Sequence, residues 1–259
     1  MAASVTRSAV PGYGGLLWDV LAHLGALGRE PVREVLVRQM QRAGVATLSA
    51  LVVRAAGIGT LIIAYTVYVL AADAAVAVRI LVWAVLREIG PLFAVIMLVM
   101  RSGTAMAAEF ALMRERGELR ALRLSGIRVL DYIVVPTVVA MTVSNLAITV
   151  YFQMLAVGGG MLISALLMDV TLHELAEHFF NMASVWDLVY TVVKSLGFGF
   201  LVGMVVCVQG LGLGGRPVPM PEAVSRAVMQ SFAAVLAFNA VFAYLVFGVA
   251  FFGIVRAPS

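Results

Sequence analysis

Five apolar runs, each long enough to cross a lipid bilayer, constrain this chain more than any other feature of its sequence. A spanning helix needs about 20 mostly apolar residues. Hydrophobic residues make up 63% of the chain and charged residues only 12%, whereas soluble domains average about 25% charged residues. The sequence therefore predicts an all-α integral membrane protein with about five transmembrane helices. The runs lie at residues 45–72, 80–113, 129–157, 188–213 and 227–255.

The region before the first run has a different character. Glu30-Pro31 can begin a helix, because proline is favoured at the first helical position, and the residues that follow separate into an apolar side and an arginine-rich side. This pattern is typical of a helix lying in the membrane interface. A surface helix of a small soluble domain is the alternative, although about forty residues can bury little core. We expect an N-terminal interfacial helical region, 1–44, and a transmembrane domain, 45–259.

The distribution of arginines predicts the orientation. The N-terminal region and the loops near 114–128 and 216–226 are basic, whereas residues 161–187 contain no lysine or arginine. Cytoplasmic loops carry the excess of basic residues, so the N-terminus is expected in the cytoplasm and the C-terminus outside. The formal net charge of +4 indicates contact with anionic lipid headgroups rather than nucleic acid.

Charged residues interrupt the second apolar run. Arg87 and Glu88 are adjacent near its start, and Arg101 and Glu109 follow. A charge at the bilayer centre costs roughly 2.5–3.5 kcal/mol on insertion scales, so such side chains usually face a protein interior or a watery cavity. Alternatively, they lie near the membrane edges and extend toward the headgroups. Gly90-Pro91 predicts a bent or discontinuous start, because proline removes a backbone donor.

Small residues recur every fourth position in two of the runs. In membrane helices this spacing lets two backbones approach closely. The sequence therefore predicts two helix-packing faces. They comprise Gly103, Ala107 and Ala111 in the second run, and Gly199 and Gly203 in the fourth.

Motifs for catalysis, metals and nucleotides are weak. The histidines of HELAEH, residues 173–178, are five apart, whereas the zinc protease motif needs them four apart. A phosphate-binding loop needs Gly-Lys-Ser/Thr, and the single lysine follows a valine. The sequence predicts no metal site, no cofactor and no ATP hydrolysis in this chain. A lipid enzyme assembled from distant spans, or a channel, remains an alternative.

Arginines crowd the loop after the second run. Arg116, Arg120 and Arg123 fall at i, i+4 and i+7, which would place them on one side of a short helix. A solvated cytoplasmic loop is the more usual explanation of the charge alone.

Several sequence blocks, in a fixed order, resemble a known family. The chain is similar to the MlaE/YrbE permeases, the membrane subunits of MCE-associated ABC transporters that move lipids, over residues 34–248. The most specific blocks are REIGP (87–91), RSG (101–103), AAE (107–109), CVQG (207–210) and SRAV (225–228).

The resemblance implies a permease in the bacterial inner membrane that moves lipid between this membrane and an external MCE protein. It implies a dimer with a second copy or a related permease, a lipid cavity at the dimer axis, and a separate cytoplasmic ATPase that binds ATP and Mg. A scaffold role within a heterodimer is a further alternative. The lipid and the direction of transport remain open.

The resemblance also assigns candidate residues. Tyr65 replaces a common glutamine, Asn239 a position that is acidic in some relatives, and Arg116-Gly117-Glu118 a common Thr-Glu-Gln. Whether the Arg87-Glu88 pair is structural or meets a lipid headgroup stays open. The cavity candidates are Arg87, Glu88, Lys194, Tyr65 and Asn239, and the candidates for the ATPase coupling helix are Arg114, Glu115, Arg116, Glu118, Leu119, Arg120, Leu122 and Arg123.

Overall fold

Every regular element that the computed structural model describes is a helix, which confirms the predicted all-α class for this part of the chain. The first predicted run, with Tyr65, lies outside the described residues except for Gly57 and Leu61. The structure describes residues 13–23, 30–41, 57, 61, 82–167, 171–182, 184–213 and 218–255.

The described helices follow one another with short connections. The chain's second predicted run becomes one composite helix in which π-helical and α-helical segments alternate. In order, the elements are α1 (Tyr13–Ala22), α2 (Glu30–Met40), a π segment (Val82–Ile89), α3 (Gly90–Leu98), a π segment (Val99–Gly103), α4 (Thr104–Glu115), α5 (Glu118–Leu124), a π segment (Leu130–Val134), α6 (Val135–Leu167), α7 (Leu172–Met182), α8 (Val185–Leu211) and α9 (Met220–Val255).

Four of these helical stretches are long and apolar enough to cross a membrane, so this is a multi-pass membrane protein. Each contains 27 to 33 residues, about 40–50 Å at 1.5 Å per residue, and the hydrocarbon core is only about 30 Å thick. Their ends therefore extend into the interfacial regions. The four are Trp83–Glu115, Leu130–Leu162, Val185–Leu211 and Met220–Val246, close to the last four predicted runs.

Helix α8 lies at the centre of the bundle because glycines let it approach two neighbours. A Cβ atom added at Gly199 would lie 2.7 Å from the Cα of Thr142 in α6. Three turns further along α8, a Cβ atom at Gly210 would lie 3.1 Å from the carbonyl oxygen of Ala107 in α4. Gly203 repeats the close approach to α6, at 2.9 Å from the Cα of Val138. Larger residues at these positions would push the helices apart.

Helix α9 is the peripheral member of the bundle. In its most apolar window 11% of the residues are buried, against 67% in the corresponding windows of α6 and α8. Its buried residues recur every fourth position and form one narrow face: Ala223, Ala227, Ser231 and Val235. Most of the remaining surface is apolar and exposed.

The parallel packing of α8 on the composite helix creates two distinct ends. At the first, here called the acidic end, Arg87 contacts Asp187 at the start of α8. At the second, the arginine end, Arg114 contacts the carbonyl of Gly210 at the end of α8. Helix α7 lies at the acidic end, and α5 lies at the arginine end.

The predicted interruption at Gly90-Pro91 is a change in hydrogen-bonding pattern rather than a break. Ile89 has helical backbone angles, with φ −67° and ψ −42°. The π-helical pattern of Val82–Ile89 gives way to an α-helix at Gly90. Pro91 lies in the first turn of that α-helix, where an absent N–H is tolerated.

Candidate functional site

Two backbone carbonyls near the start of the composite helix receive hydrogen bonds from neighbouring helices. Pro91 has no N–H, so the Arg87 carbonyl, four residues earlier, lacks its α-helical donor. Lys194 Nζ in α8 donates to that oxygen at 3.0 Å. The preceding carbonyl, of Leu86, accepts from Gln153 Nε2 at 3.0 Å and from Thr191 Oγ1 at 2.8 Å. Backbone groups freed in a membrane helix need such partners.

Lys194 is fully buried, with 0% of its side chain exposed. It lies nine residues after Val185, about 14 Å along α8 at 1.5 Å per residue, and so at the depth of the hydrocarbon. Its ammonium group lies 2.8 Å from Glu88 Oε2 and 5.2 Å from the centre of the Tyr190 ring. A carboxylate, a carbonyl and an aromatic face together stabilise the buried cation.

Glu88 and Arg87 each have a second partner. Tyr190 Oη donates to Glu88 Oε1 at 3.1 Å, so both oxygens of this carboxylate are bound. Arg87 Nε donates to Asp187 Oδ1 at 2.6 Å. The other oxygen of Asp187 accepts from the backbone N–H of Ser184 at 3.0 Å, within the capping box that begins α8.

These contacts form a four-charge network, Arg87, Glu88, Asp187 and Lys194, with Tyr190 between its two ion pairs. Two positive and two negative charges sum to zero. A buried pair is costly to break, because removal of one partner leaves an uncompensated charge. The network therefore joins the start of the composite helix to α8.

An apolar pocket of about 290 Å³ lies beside this network. Phe242 and Val246 of α9 line it together with Val193 of α8, and Arg87 lies at its edge. The Arg87 side chain is 35% exposed, and only its Nε atom is bound to Asp187. Arg87 is thus the partly exposed cation of the four-charge network, whereas Asp187, which also lines the pocket, is buried.

The predicted coupling residues divide between two elements at the arginine end. Arg114 and Glu115 belong to α4, the end of the composite helix, and both bind the connection to α9. Arg114 donates to the carbonyls of Gly210 and Val218, and Glu115 Oε1 accepts from the Met220 N–H at 2.9 Å. Gly212, with φ 67°, packs against the Arg114 side chain.

Helix α5 begins only at Glu118, so the expected helical row of three arginines contains two. Arg116 follows α4 as its C-cap residue, and Gly117, with φ 78°, makes a turn that a side chain would strain. Leu119 is buried against the core and Leu122 packs on it. The outward surface carries Arg120, Arg123 and an 80% exposed leucine, Leu124.

Comparison with known families settles the relationship. The profile of the family described as Permease MlaE matches residues 36–245, a region that includes the four-charge network and both ends of the composite helix. This chain belongs to the MlaE permease family.

Individual relatives of this MlaE permease are similar at moderate identity. A protein of Synechocystis named as a probable ABC transporter permease is 29% identical over 62% of the chain and 61% of its own length. The chloroplastic protein TRIGALACTOSYLDIACYLGLYCEROL 1 of Arabidopsis thaliana is 29% identical over 56% of the chain and 41% of its length. A probable permease of Rickettsia felis is 28% identical over 63% of both. The matches thus span about three fifths or less of these proteins.

The remaining predicted positions of the MlaE permease lie apart from the network. Asn239 is half-buried on α9, and the described lining of the Arg87 pocket does not include it. Arg101 is exposed in the middle of the composite helix. In the HELAEH segment, now part of α7, His173 lies 3.4 Å from Glu177. Within the described ranges, no cluster of three or more metal-binding side chains occurs.

Sequence reasoning missed four contributors to the site: Gln153, Asp187, Tyr190 and Thr191. A signal existed for the last three, because Asp187, Tyr190, Thr191 and Lys194 recur at three- and four-residue spacing on one side of a helix. The row of small residues at four-residue spacing, predicted from Gly199 and Gly203, also includes Thr191 and Ser195 before them. Gln153 had no comparable signal, since its partners are on other helices.

Proposed function

We propose that this MlaE permease is the membrane subunit of an ABC transporter that moves lipid between the inner membrane and an external MCE protein. A separate ATPase binds ATP and Mg and drives the transport. Family membership supports the permease role, and the name of the Arabidopsis relative is that of a diacylglycerol glycolipid. The observation that carries the lipid proposal is the apolar pocket with Arg87 at its edge.

In this proposal Arg87 meets the headgroup. Its terminal nitrogens can donate two parallel hydrogen bonds to a phosphate or carboxylate, while Val193, Phe242 and Val246 receive the start of an acyl chain. Lys194 has a different role. It is fully buried and bound to Glu88 and to the Arg87 carbonyl, so it holds the helix that presents Arg87.

The arginine end supplies the ATPase contact in this proposal. Arg120, Arg123 and Leu124 form a basic surface with an apolar centre, and buried Leu119 anchors it to the core. Movement of α5 would pass to α4 through the single turn at Gly117. Arg114 and Glu115 would then pass it to the start of α9, whose other end lines the Arg87 pocket.

A second permease subunit completes the proposed assembly. Helix α9 is the least buried span and exposes Leu236, Val241 and Tyr244, so it offers an apolar surface to a second copy or a related permease. The N-terminus and α5 would face the cytoplasm, because the arginine end follows the rule that basic loops remain inside.

Native purification tests the proposal. The tagged chain, extracted from its own membrane, should bring with it an ABC ATPase, an MCE-domain protein and diacyl lipid, all identified by mass spectrometry. A matched sample carrying Arg87→Gln should retain both proteins and lose anionic lipid. Recovery of the chain alone with lipid-hydrolysing or ion-conducting activity would contradict the proposal and favour a lipid enzyme or a channel.

A further inference from the structure

A second apolar groove lies on the opposite side of α8 from the Arg87 pocket. Its volume is about 390 Å³, and α6, α7 and α8 form its walls. On α8 it is lined by Leu188, Thr191 and Val192, whereas Tyr190 and Val193 line the Arg87 pocket. The two spaces are therefore distinct.

We propose that this groove binds one hydrocarbon chain of a bilayer lipid from the leaflet at the acidic end. The first support is its position. The groove follows α6 from Val150 to Met161, about 16 Å at 1.5 Å per residue. Met161 lies next to the end of the Leu130–Leu162 span. The groove therefore extends from the interfacial region into the hydrocarbon of one leaflet, since the core is only about 30 Å thick.

The chemistry of the lining supports a hydrocarbon occupant. None of the described lining residues is charged. The two polar ones, Gln153 and Thr191, bind the Leu86 carbonyl and each other, so they offer little to a headgroup or to water. Met154 and Leu188 are 70% and 58% exposed, and they open the groove toward the bilayer.

Helix α7 covers the groove at the membrane surface. It connects the end of α6 with the start of α8, where both spans leave the hydrocarbon, so its position follows from the chain itself. Its apolar positions Ala176 and Phe179 line the groove, while Glu174 and Glu177 are exposed. This arrangement is typical of an amphipathic helix in the interface. Trp186 is exposed in the first turn of α8, and tryptophan is enriched at the membrane–water interface.

Gly158 provides a way to fill the groove without disturbing the fold. It lines the groove, and a Cβ atom added there would meet nothing within 4 Å. Gly158→Phe should therefore occupy the space that the hydrocarbon chain uses. Val143→Phe is the matched control, because Val143 lies on the same helix, is 39% exposed and does not line the groove.

The test uses the full chain in lipid nanodiscs that contain phospholipid with a diazirine at mid-chain. After illumination, mass spectrometry maps the labelled residues. In the unaltered protein we expect labelling concentrated at Met154, Met161 and Phe179 above the exposed positions Ile96 and Met100 of the composite helix. This concentration should be lost in Gly158→Phe and kept in Val143→Phe.

Equal labelling of the groove and of Ile96 and Met100 in the unaltered protein would overturn the proposal, because it would indicate only ordinary lipid contact. Unchanged groove labelling in Gly158→Phe would overturn it as well. Neither result depends on ATPase partners or on Arg87, so the groove can fail while the proposed transport function stands, and the reverse also holds.

Discussion

The two ends of the composite helix both carry clustered charges, but the charges are paired at one end and exposed at the other. At the acidic end, Arg87 and Glu88 bind Asp187 and Lys194, and the four charges cancel. At the arginine end, Arg120 and Arg123 are exposed with an exposed leucine beside them. One end uses its charges to hold helices together, and the other leaves them on the surface.

The difference shows how burial decides what a charge does in this fold. A fully buried ammonium must be neutralised where it lies, so Lys194 is part of the scaffold. An exposed guanidinium at the membrane surface costs little and stays available to a partner. Arg87 is intermediate, since one nitrogen binds Asp187 while the group remains 35% exposed.

The largest expected effect is at the buried pair. Glu88→Gln removes the carboxylate that neutralises Lys194, and breaking a buried pair on one side costs about 3–5 kcal/mol. We expect the free energy of unfolding, measured by denaturant titration in detergent, to fall by that order.

The double variant Glu88→Gln/Lys194→Met is the control, because it removes both charges together. It should be more stable than Glu88→Gln alone. If Glu88→Gln instead assembles with full stability but transports no lipid, the network has a transport role rather than the structural one assigned here.

At the arginine end the largest effect should come from Arg114, the arginine that is bound rather than exposed. Arg114→Met removes its hydrogen bonds to the Gly210 and Val218 carbonyls. Hydrogen bonds from charged groups contribute about 1.5–3 kcal/mol, so the free energy of unfolding should fall by about that amount. Arg120→Met is the matched change on an exposed arginine and should leave stability unchanged. Equal losses in the two variants would contradict the division between bound and exposed arginines.

A smaller effect on stability, with a clear effect on lipid, is expected at Arg87. Arg87→Gln breaks an ion pair in which Arg87 is 35% exposed and Asp187 is buried. Because Asp187 keeps its hydrogen bond from the Ser184 N–H, we expect a smaller loss of stability than in Glu88→Gln. Anionic lipid retained by the purified protein, counted by native mass spectrometry, should decrease.

Arg128→Gln provides the comparison at the other end, because Arg128 and Asp131 form a similar pair at 2.6 Å. That variant should keep its anionic lipid. Equal retention by the two variants would remove Arg87 from the proposed lipid site.

The smallest effect on the fold is expected at α5. Arg120→Glu with Arg123→Glu reverses two exposed charges, so the protein should fold normally but lose the ATPase during copurification. Arg226→Glu reverses an exposed charge at the same end outside α5 and should retain the ATPase. Retention by both variants would exclude the α5 surface as the docking site.

Much of the fold could be predicted from the sequence, because a membrane helix is defined locally by its length and apolarity. The last four predicted runs agree with the observed spans, and Glu30 begins α2 as expected. The arginine spacing predicts a short helix that includes Arg116, whereas α5 begins at Glu118. The turn before it depends on a single left-handed backbone conformation, at Gly117.

Asp187 could not be predicted as the partner of Arg87, because the two residues are one hundred positions apart along the chain. The Arg87–Asp187 and Glu88–Lys194 pairs exist only once α8 has packed on the composite helix. Gln153 illustrates the same limit, since nothing near it in sequence indicates a bond to the Leu86 carbonyl.

The most direct test of the transport function is lipid transfer from proteoliposomes that contain the natively purified complex. Labelled phospholipid should pass between the liposome and the external MCE protein only when ATP and Mg are present. Transfer should stop in the Arg120→Glu/Arg123→Glu variant, although the protein remains folded in the membrane. Lipid movement or lipid chemistry that continues at the same rate without ATP and without the ATPase would contradict the function proposed here.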